Sequence, residues 1–213
     1  MKPGSRSLAG LAAPRYLSGM DRARKLTEAL RHPSVAIDRL LHRAGLGREI
    51  FYRAHGLGAG APVAPVVVLA LEEALAMLDR EGALGTGGAA AYHRARDRGA
   101  QAVGVRGEAG EVVQVCFCKP AEARELPPWL AGSPPRTWLV ANAHTARAAR
   151  GAGLYPLVLR GIISLTPLEE RIVIFTDAWN RASRRGIAKA GFTPIGVRQS
   201  LRGRAPAWRR VRQ

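Results

Sequence analysis

Hydrophobic and polar positions change their period several times along the chain, and each change marks a predicted element. Residues 50–54 predict a strand, and the run 66–71 begins β-branched before the pattern turns helical through residues 72–80. A Gly-rich turn precedes a second predicted helix at 88–98. Further along, the pattern predicts strands at 101–106, 111–118, 137–145, 171–176, 194–201 and 205–211, and helices at 154–165 and 180–190.

This order of elements predicts one α/β domain, of the α+β kind, over residues 48–213. A chain of 213 residues with 47% hydrophobic content can bury a sizeable core. Residues 107–110 read as a hairpin turn between two strands, and 119–136 as a proline-studded loop that holds Trp129.

Residues 1–47 form a basic, partly helical N-terminal extension in this interpretation. Leu26 and Leu30 share one helical face, and a second helical face follows the break at Pro33. Such a segment could lie on an anionic membrane surface or against another protein, or pack as a helical hairpin on its own domain. No apolar stretch reaches the ~20 residues that span a bilayer. We therefore expect a cytoplasmic protein, soluble or peripherally attached to a membrane, and leave its oligomeric state open.

The net charge of +17 favours anionic partners, because a field of that sign attracts nucleotides, phospholipid headgroups and nucleic acid. No acidic residue follows Asp177, so the C-terminal part suits an anionic ligand best. Cys116 and Cys118 lie two residues apart in an apolar run and are interpreted as core residues, too close along one strand for a relaxed disulfide. No cluster of His and Cys completes a metal site around them.

The segment Arg150-Gly151-Ala152-Gly153-Leu154-Tyr155-Pro156 lies between a predicted strand and a predicted helix. Glycines let the backbone approach a ligand closely, and a helix N-terminus directs unpaired N–H groups and a positive dipole end toward it. This combination indicates phosphate binding. The Gly-Lys-Ser/Thr of a P-loop and the three-glycine dinucleotide fingerprint are both missing, so the pattern favours another phosphate compound.

A second segment, Asn180 to Phe192, forms a helix that directly follows a strand and ends at Gly191-Phe192. Together the two segments resemble the GNAT acyltransferase superfamily. Its first cofactor motif is matched at Arg150 and Gly153, and its second at Asn180, Ser183 and the Gly-Phe pair. The resemblance covers roughly residues 48–212. It implies a mixed central β-sheet flanked by helices and the binding of acetyl-CoA or another acyl-CoA.

The resemblance also implies roles for individual residues. The strand edge at residues 143–145 would hydrogen-bond the pantetheine arm, Asn180 would bind that arm from the other side or cap its helix, and Ser183 and Arg184 would lie near phosphate or adenosine. The amides of residues 151–155 would cradle the pyrophosphate, with Arg150 shaping the loop. The expected cofactor-binding set is thus Ala143, Thr145, Arg150, Gly151, Ala152, Gly153, Leu154, Tyr155, Asn180, Ser183 and Arg184.

Two positions depart from the family pattern. Tyr155 stands where the family usually has Gly or Ala, and Ile187 where many members have a tyrosine that serves as general acid. The remaining catalytic candidates are His144, the right type for a base near neutral pH, and Asn142, predicted on the same strand face. A local structural role for His144 is equally open.

The sequence therefore predicts an N-acyltransferase, most simply an N-acetyltransferase, that transfers an acyl group from acyl-CoA to an unidentified amine by direct attack in a ternary complex. A catalytically silent acyl-CoA-binding protein of the same fold is the first alternative, because Ile187 removes the usual acid. A basic nucleic-acid-binding module is the second, but aromatic residues make up only 6% of the chain and no stacking platform is evident.

Overall fold

The structure, a computed structural model, describes residues 46–58, 64–84, 87–132, 136–200 and 205–211. Its strands and helices follow the predicted periods closely, and residues 137–145 and 154–165 have the predicted bounds. In chain order the elements are β1 (Arg48–His55), β2 (Val66–Leu69), α1 (Leu71–Arg80), α2 (Gly88–Asp97), β3 (Gln101–Arg106), β4 (Val112–Pro120), β5 (Thr137–Thr145), α3 (Leu154–Leu165), β6 (Arg171–Asp177), α4 (Arg181–Lys189), β7 (Thr193–Gln199) and β8 (Ala207–Arg210).

The eight strands form one mixed sheet in the order β2-β3-β4-β5-β6-β1-β7-β8. All neighbours pair antiparallel except β5 and β6, which are parallel. A parallel pair needs a crossover, and α3 supplies it. The predicted mixed sheet flanked by helices is confirmed.

Helices α3 and α4 cover one face of the sheet. Val158, Leu159 and Ile162 of α3 pack there against strand residues that include both cysteines. Cys116 and Cys118 are buried and form no disulfide, as the sequence predicts. Burial raises the pKa of Cys116 to about 12, so its thiol is an inert part of the core.

The opposite face carries two smaller clusters. Helices α1 and α2 pack on the half nearest β2, where Leu75, Leu78 and Tyr92 meet Val115 and Phe117. The other half is closed by the loop after β4, whose residues Leu126, Leu130 and Trp129 pack with Phe51 and the strands around it. The predicted proline-studded loop is therefore a layer of the core.

The sequence analysis predicts one strand before α1, whereas the structure has two. The β-branched residues Val66 and Val67 form a separate strand, β2, which pairs with β3 at the edge of the sheet. Strand β1 lies far from β2, between β6 and β7, and contributes the fully buried Phe51 to the core. The chain thus crosses the sheet before the first helix.

The predicted N-terminal helices lie outside the described residues. Within the described ranges, none of the helices combines the length and the apolar character that a membrane crossing needs.

The position of β1 generates a test of where the folding unit begins. A chain starting at residue 46 keeps all the described elements, and we expect it to unfold in one cooperative urea transition. A chain starting at residue 56 lacks β1 and removes the hydrogen-bonding partner of both β6 and β7, so we expect no cooperative transition. Circular dichroism across a urea series measures both. Equal midpoints for the two chains would contradict this role for β1.

Candidate functional site

Strands β5 and β6 run side by side and then separate. Their parallel pairing covers Thr137–Val140 opposite Arg171–Ile174 and extends no further. Beyond that point β6 continues against β1, while β5 continues against β4 as far as Thr145. Within the described chain, residues 141–145 therefore have no sheet partner on the side of β6. The predicted strand edge at residues 143–145 faces the resulting gap.

A β-bulge lies where β5 leaves β6. Val115 of β4 pairs with His144 and Phe117 pairs with Ala141, so β5 has one extra residue between the two pairs. Asn142 takes up this irregularity with a φ of 49°, a left-handed conformation that asparagine tolerates better than most residues. The bulge interrupts the alternation of side chains. Asn142 lines a cavity beside α2, and His144 lies opposite Val115 and approaches Glu81 at the end of α1, so both residues lie toward the face that carries these two helices.

The loop after β5 leads directly into the N-terminus of α3. Gly151 and Gly153 have φ values of 91° and 74°, and Gly153 is the N-cap of the helix. Such conformations favour glycine because they bring Cβ too close to the backbone. The side chain of Arg150 donates from Nε to the carbonyl oxygen of Thr145 at 3.2 Å, which ties the loop to the end of β5.

The amides of residues 151–155 donate to no backbone carbonyl in the described part of the chain. Pro156 follows, in the first turn, where its missing N–H leaves no hydrogen bond unmade. The positive end of the helix dipole lies at this N-terminus. It is a suitable place for an anion.

A cavity of about 620 Å³ occupies this region, and we call it the first cavity. It extends from the open edge of β5 across the loop and along α4 as far as its last residue, Lys189. Of the predicted residues, its lining includes Ala143, His144, Thr145, Arg150, Gly151, Gly153, Leu154, Tyr155, Asn180 and Ser183.

Two of the predicted cofactor-binding residues do not line the first cavity, and neither does the catalytic candidate Asn142. Ala152 is exposed, and Arg184 donates from Nη1 to the carbonyl oxygen of Ala178 at 3.0 Å. Arg185 and Lys189 line it instead, and sequence reasoning missed both. The signal was present, since positions 182, 185 and 189 recur at the spacing of one helical face.

Asn180 begins α4 as its N-cap. Its side-chain Oδ1 accepts a hydrogen bond from the Ser183 amide at 3.1 Å. This capping arrangement satisfies one of the four N–H groups left without partners at a helix start. Asn180 therefore has a structural role and also lines the first cavity.

Tyr155 bridges the two helices across the first cavity. Its hydroxyl lies 3.3 Å from the Ser183 hydroxyl, and its ring packs on Gly186, where an added Cβ would come within 2.5 Å of the ring. The large residue at 155 is thus accommodated by a small one at 186. Burial raises the pKa of Tyr155, so its hydroxyl stays protonated at neutral pH. Ile187, the position of the family's usual acid, is fully buried.

His144 points toward the end of α1. Its Nε2 lies 3.7 Å from Oε2 of Glu81, and both side chains are mostly buried. Glu81 also accepts a hydrogen bond from the Arg147 amide at 3.2 Å, which fixes the carboxylate beside the turn that leads into the loop. Sequence reasoning missed Glu81, because 63 residues separate it from His144 and no local pattern links them.

A separate cavity of about 340 Å³ lies on the α2 side of β5, and we call it the second cavity. Asn142 lines the second cavity, whereas the next residue, Ala143, lines the first. The bulge therefore borders both cavities. Among the described residues, no group of three or more His, Cys, Asp and Glu side chains could hold a metal ion.

Comparisons with known proteins bear on the fold. No family model matches the chain, and no curated protein matches it. Several solved structures are similar, among them the following three. A GNAT-family acetyltransferase from Novosphingobium aromaticivorans is 19% identical with a TM-score of 0.52, covering 71% of this chain and 61% of its own. One from Colwellia psychrerythraea is 15% identical with a TM-score of 0.49, covering 73% and 56%. A GCN5-related N-acetyltransferase from Sphaerobacter thermophilus is 15% identical with a TM-score of 0.48, covering 82% and 56%.

The chain thus spans about three fifths of the length of these structures. The likeness to the Novosphingobium structure shows that the chain has the GNAT fold, as its motifs predict.

The contact between Tyr155 and Gly186 predicts that the effect of Gly186→Ala on stability depends on the residue at position 155. Gly186→Ala should destabilise the protein by ~1–2 kcal/mol, because the clash with the ring outweighs the ~1 kcal/mol gain in helix propensity. In a Tyr155→Ala background the same substitution should stabilise it, because only the propensity gain remains. Urea unfolding of the four proteins measures this cycle. Equal effects of Gly186→Ala in both backgrounds would show that the ring does not require a glycine.

Proposed function

We propose that this protein is an acyl-CoA-dependent N-acyltransferase, most simply an N-acetyltransferase, that binds acyl-CoA and an amine in one complex. The observation that carries the proposal is the first cavity. An open strand edge and two helix N-termini meet there, and none of the described residues that line it is acidic.

The residues of the first cavity fit an acyl-CoA. The amides at the start of α3 and the glycine loop would hold the pyrophosphate, which is negatively charged. Arg185 and Lys189 would add charge for the remaining phosphate. The open edge of β5 would pair with the amide groups of the pantetheine arm as an added strand does.

Bound acyl-CoA supplies a thioester carbonyl, which a neutral amine attacks to form an amide while CoA leaves as the thiol. The chain must therefore hold the amine close to the end of the first cavity and accept its proton. His144 lines the first cavity, and imidazole exchanges protons near neutral pH. Glu81 beside it would orient the ring. Asn142, at the bulge, would contact the amine from the second cavity.

A second candidate function is a catalytically silent acyl-CoA-binding protein. Ile187 favours it, because this fully buried apolar side chain cannot donate a proton to the departing thiolate. The Tyr155 hydroxyl, protonated and hydrogen-bonded to Ser183 in the lining of the first cavity, favours the enzyme. Both candidates bind acyl-CoA, and only the enzyme forms an amide.

Acyl-CoA should stabilise the fold, because a ligand bound only by the native state raises the free energy of unfolding by mass action. At a hundredfold excess over Kd the gain is ~2.7 kcal/mol. Gly153→Val should abolish this stabilisation, since its side chain would enter the open space in front of the α3 amides. Thermal melts with and without acetyl-CoA measure the effect.

Gly110→Val is the matched control for this experiment. Gly110 also has a positive φ, of 82°, with open space around its Cβ, but it lies in the hairpin between β3 and β4. The two variants introduce the same backbone strain. An acetyl-CoA shift that survives in Gly153→Val as fully as in Gly110→Val would disprove the assignment of the loop.

Replacing His144 tests the proton acceptor. The assay uses an amine that the protein is found to acylate. His144→Ala should lower kcat for that amine by ~10²-fold or more and remove the acidic limb of the pH-rate profile, since general bases contribute about that much. Glu81→Gln should lower kcat less than His144→Ala does, because it changes a neighbour that positions the ring and leaves the imidazole in place. Stopped-flow or thiol-release assays across pH measure both. An unchanged pH-rate profile in His144→Ala would show that His144 is not the general base. Acyl transfer would then rely on positioning of the amine, with water as the proton acceptor.

A further inference from the structure

The second cavity lies between α2 and the strands β4 and β5, directly across the bulge from the first. Because Asn142 and Ala143 are adjacent in β5 and line different cavities, a molecule in the second cavity would lie beside the strand segment that also borders the first. Its volume of about 340 Å³ is at the lower end for ligand pockets. It suits a small molecule of the size of an amino acid.

The floor of the second cavity is apolar and aromatic. The rings of Tyr92 and Phe117 contact each other there, with centroids 4.6 Å apart and planes tilted by 46°. Burial raises the pKa of Tyr92, so the phenol stays neutral and adds no charge. Ala91, Ala95 and Ala141 complete the apolar lining. A ligand that fills this space gains by placing an apolar body against these groups.

No carboxylate is among the residues that line the second cavity in the described chain. Five acidic residues lie in the surrounding segments, and the structure pairs each of them with a basic residue. The pairs are Glu72 and Asp97 with Arg96, Glu73 with Arg106, Glu122 with Arg124, and Glu125 with Lys119. A positive charge on the acceptor, other than on the reacting amine, would therefore form no ion pair with the described residues that line the second cavity.

The charged side chains that do line the second cavity are Arg98 and Lys119. Lys119 is compensated by Glu125. Burial raises the pKa of that carboxyl, but hydrogen bonds from Lys119 and the Glu122 amide outweigh it and hold the pKa below its ordinary value. Arg98 has no carboxylate within ion-pairing distance among the described residues. Arg98 is therefore available to bind an anionic ligand in the second cavity.

We propose that the acceptor is a primary amine that carries a carboxylate and an apolar, preferably aromatic, body, as a free aromatic amino acid does. The guanidinium of Arg98 would bind the carboxylate, Tyr92 and Phe117 would bind the body, and the amine would face the bulge. The amine attacks in its neutral form, so its binding requires no carboxylate from the protein. This assignment of the substrate class rests on the proposed acyl transfer.

The test compares phenylalanine with phenethylamine, which lacks the carboxylate, as acceptors with acetyl-CoA. We expect kcat/KM for phenylalanine to be at least ~10-fold higher, the range of one hydrogen-bonded charge pair. Arg98→Gln should lower kcat/KM for phenylalanine ~10-fold or more through KM, and leave phenethylamine unchanged. Arg94→Gln is the matched control, since it removes one exposed charge from the same helix outside the second cavity. Equal values for the two amines, or equal losses for both in Arg98→Gln, would overturn the proposal.

A binding measurement separates failure of this proposal from failure of acyl transfer. N-acetylphenylalanine, the product, is titrated by calorimetry into the protein saturated with CoA, which needs no turnover. Binding that weakens ~10-fold or more in Arg98→Gln, and is kept in Arg94→Gln, supports the site even if no amide forms. CoA binding without any binding of N-acetylphenylalanine, or with binding that Arg98→Gln leaves unchanged, overturns the assignment of the second cavity. Absence of CoA binding contradicts the proposed function itself.

Discussion

The separation of β5 from β6 after Val140 is the constraint on which the rest of the site depends. Two parallel strands that begin side by side deliver the helices that follow them, α3 and α4, to the same end of the sheet. As the strands diverge, a gap opens between two helix N-termini that both point toward it. The backbone alone thus offers two kinds of hydrogen-bonding group to a ligand in this gap. They are the unpaired edge of β5 and the N–H groups at the helix N-termini. The bulge at Asn142 bends β5 in the same place, so the gap and the second cavity have a common origin.

The two departures from the family pattern are connected in this chain. A tyrosine at 155 would collide with an ordinary residue on α4, and Gly186 removes that collision. The ring then packs on Gly186, and its hydroxyl lies 3.3 Å from the Ser183 hydroxyl. A phenol is therefore present between the helices although the usual position for one holds isoleucine. This phenol belongs to Tyr155 on α3, whereas position 187 is on α4.

The sequence predicts most of the fold because its elements are separated by clear changes of period and by glycine or proline. Residues 137–145 and 154–165 match their predicted bounds for that reason. Three features required information that local patterns do not hold. The bulge depends on one asparagine in a left-handed conformation, the approach of Glu81 to His144 depends on tertiary packing, and the place of β1 depends on strand pairing across most of the chain. The glycine loop can be predicted as a phosphate site because its glycines and the start of the helix are contiguous in sequence. Arg185, in contrast, joins the site only through the helical face that it shares with Ala182 and Lys189.

The place of β1 also governs the order in which this domain can assemble. Its side chains meet partners near the other end of the chain, as the contact between Glu49 and Arg198 shows across 149 positions. During synthesis β1 is made first, yet both strands that flank it are made more than a hundred residues later. Until then its backbone groups and the apolar side chain of Phe51 have no native partner, and closure of so long a loop is slow. For most of its synthesis the nascent chain therefore carries β1 as a strand that cannot yet join the sheet, and the sheet closes around it only after β6 and β7 have been made.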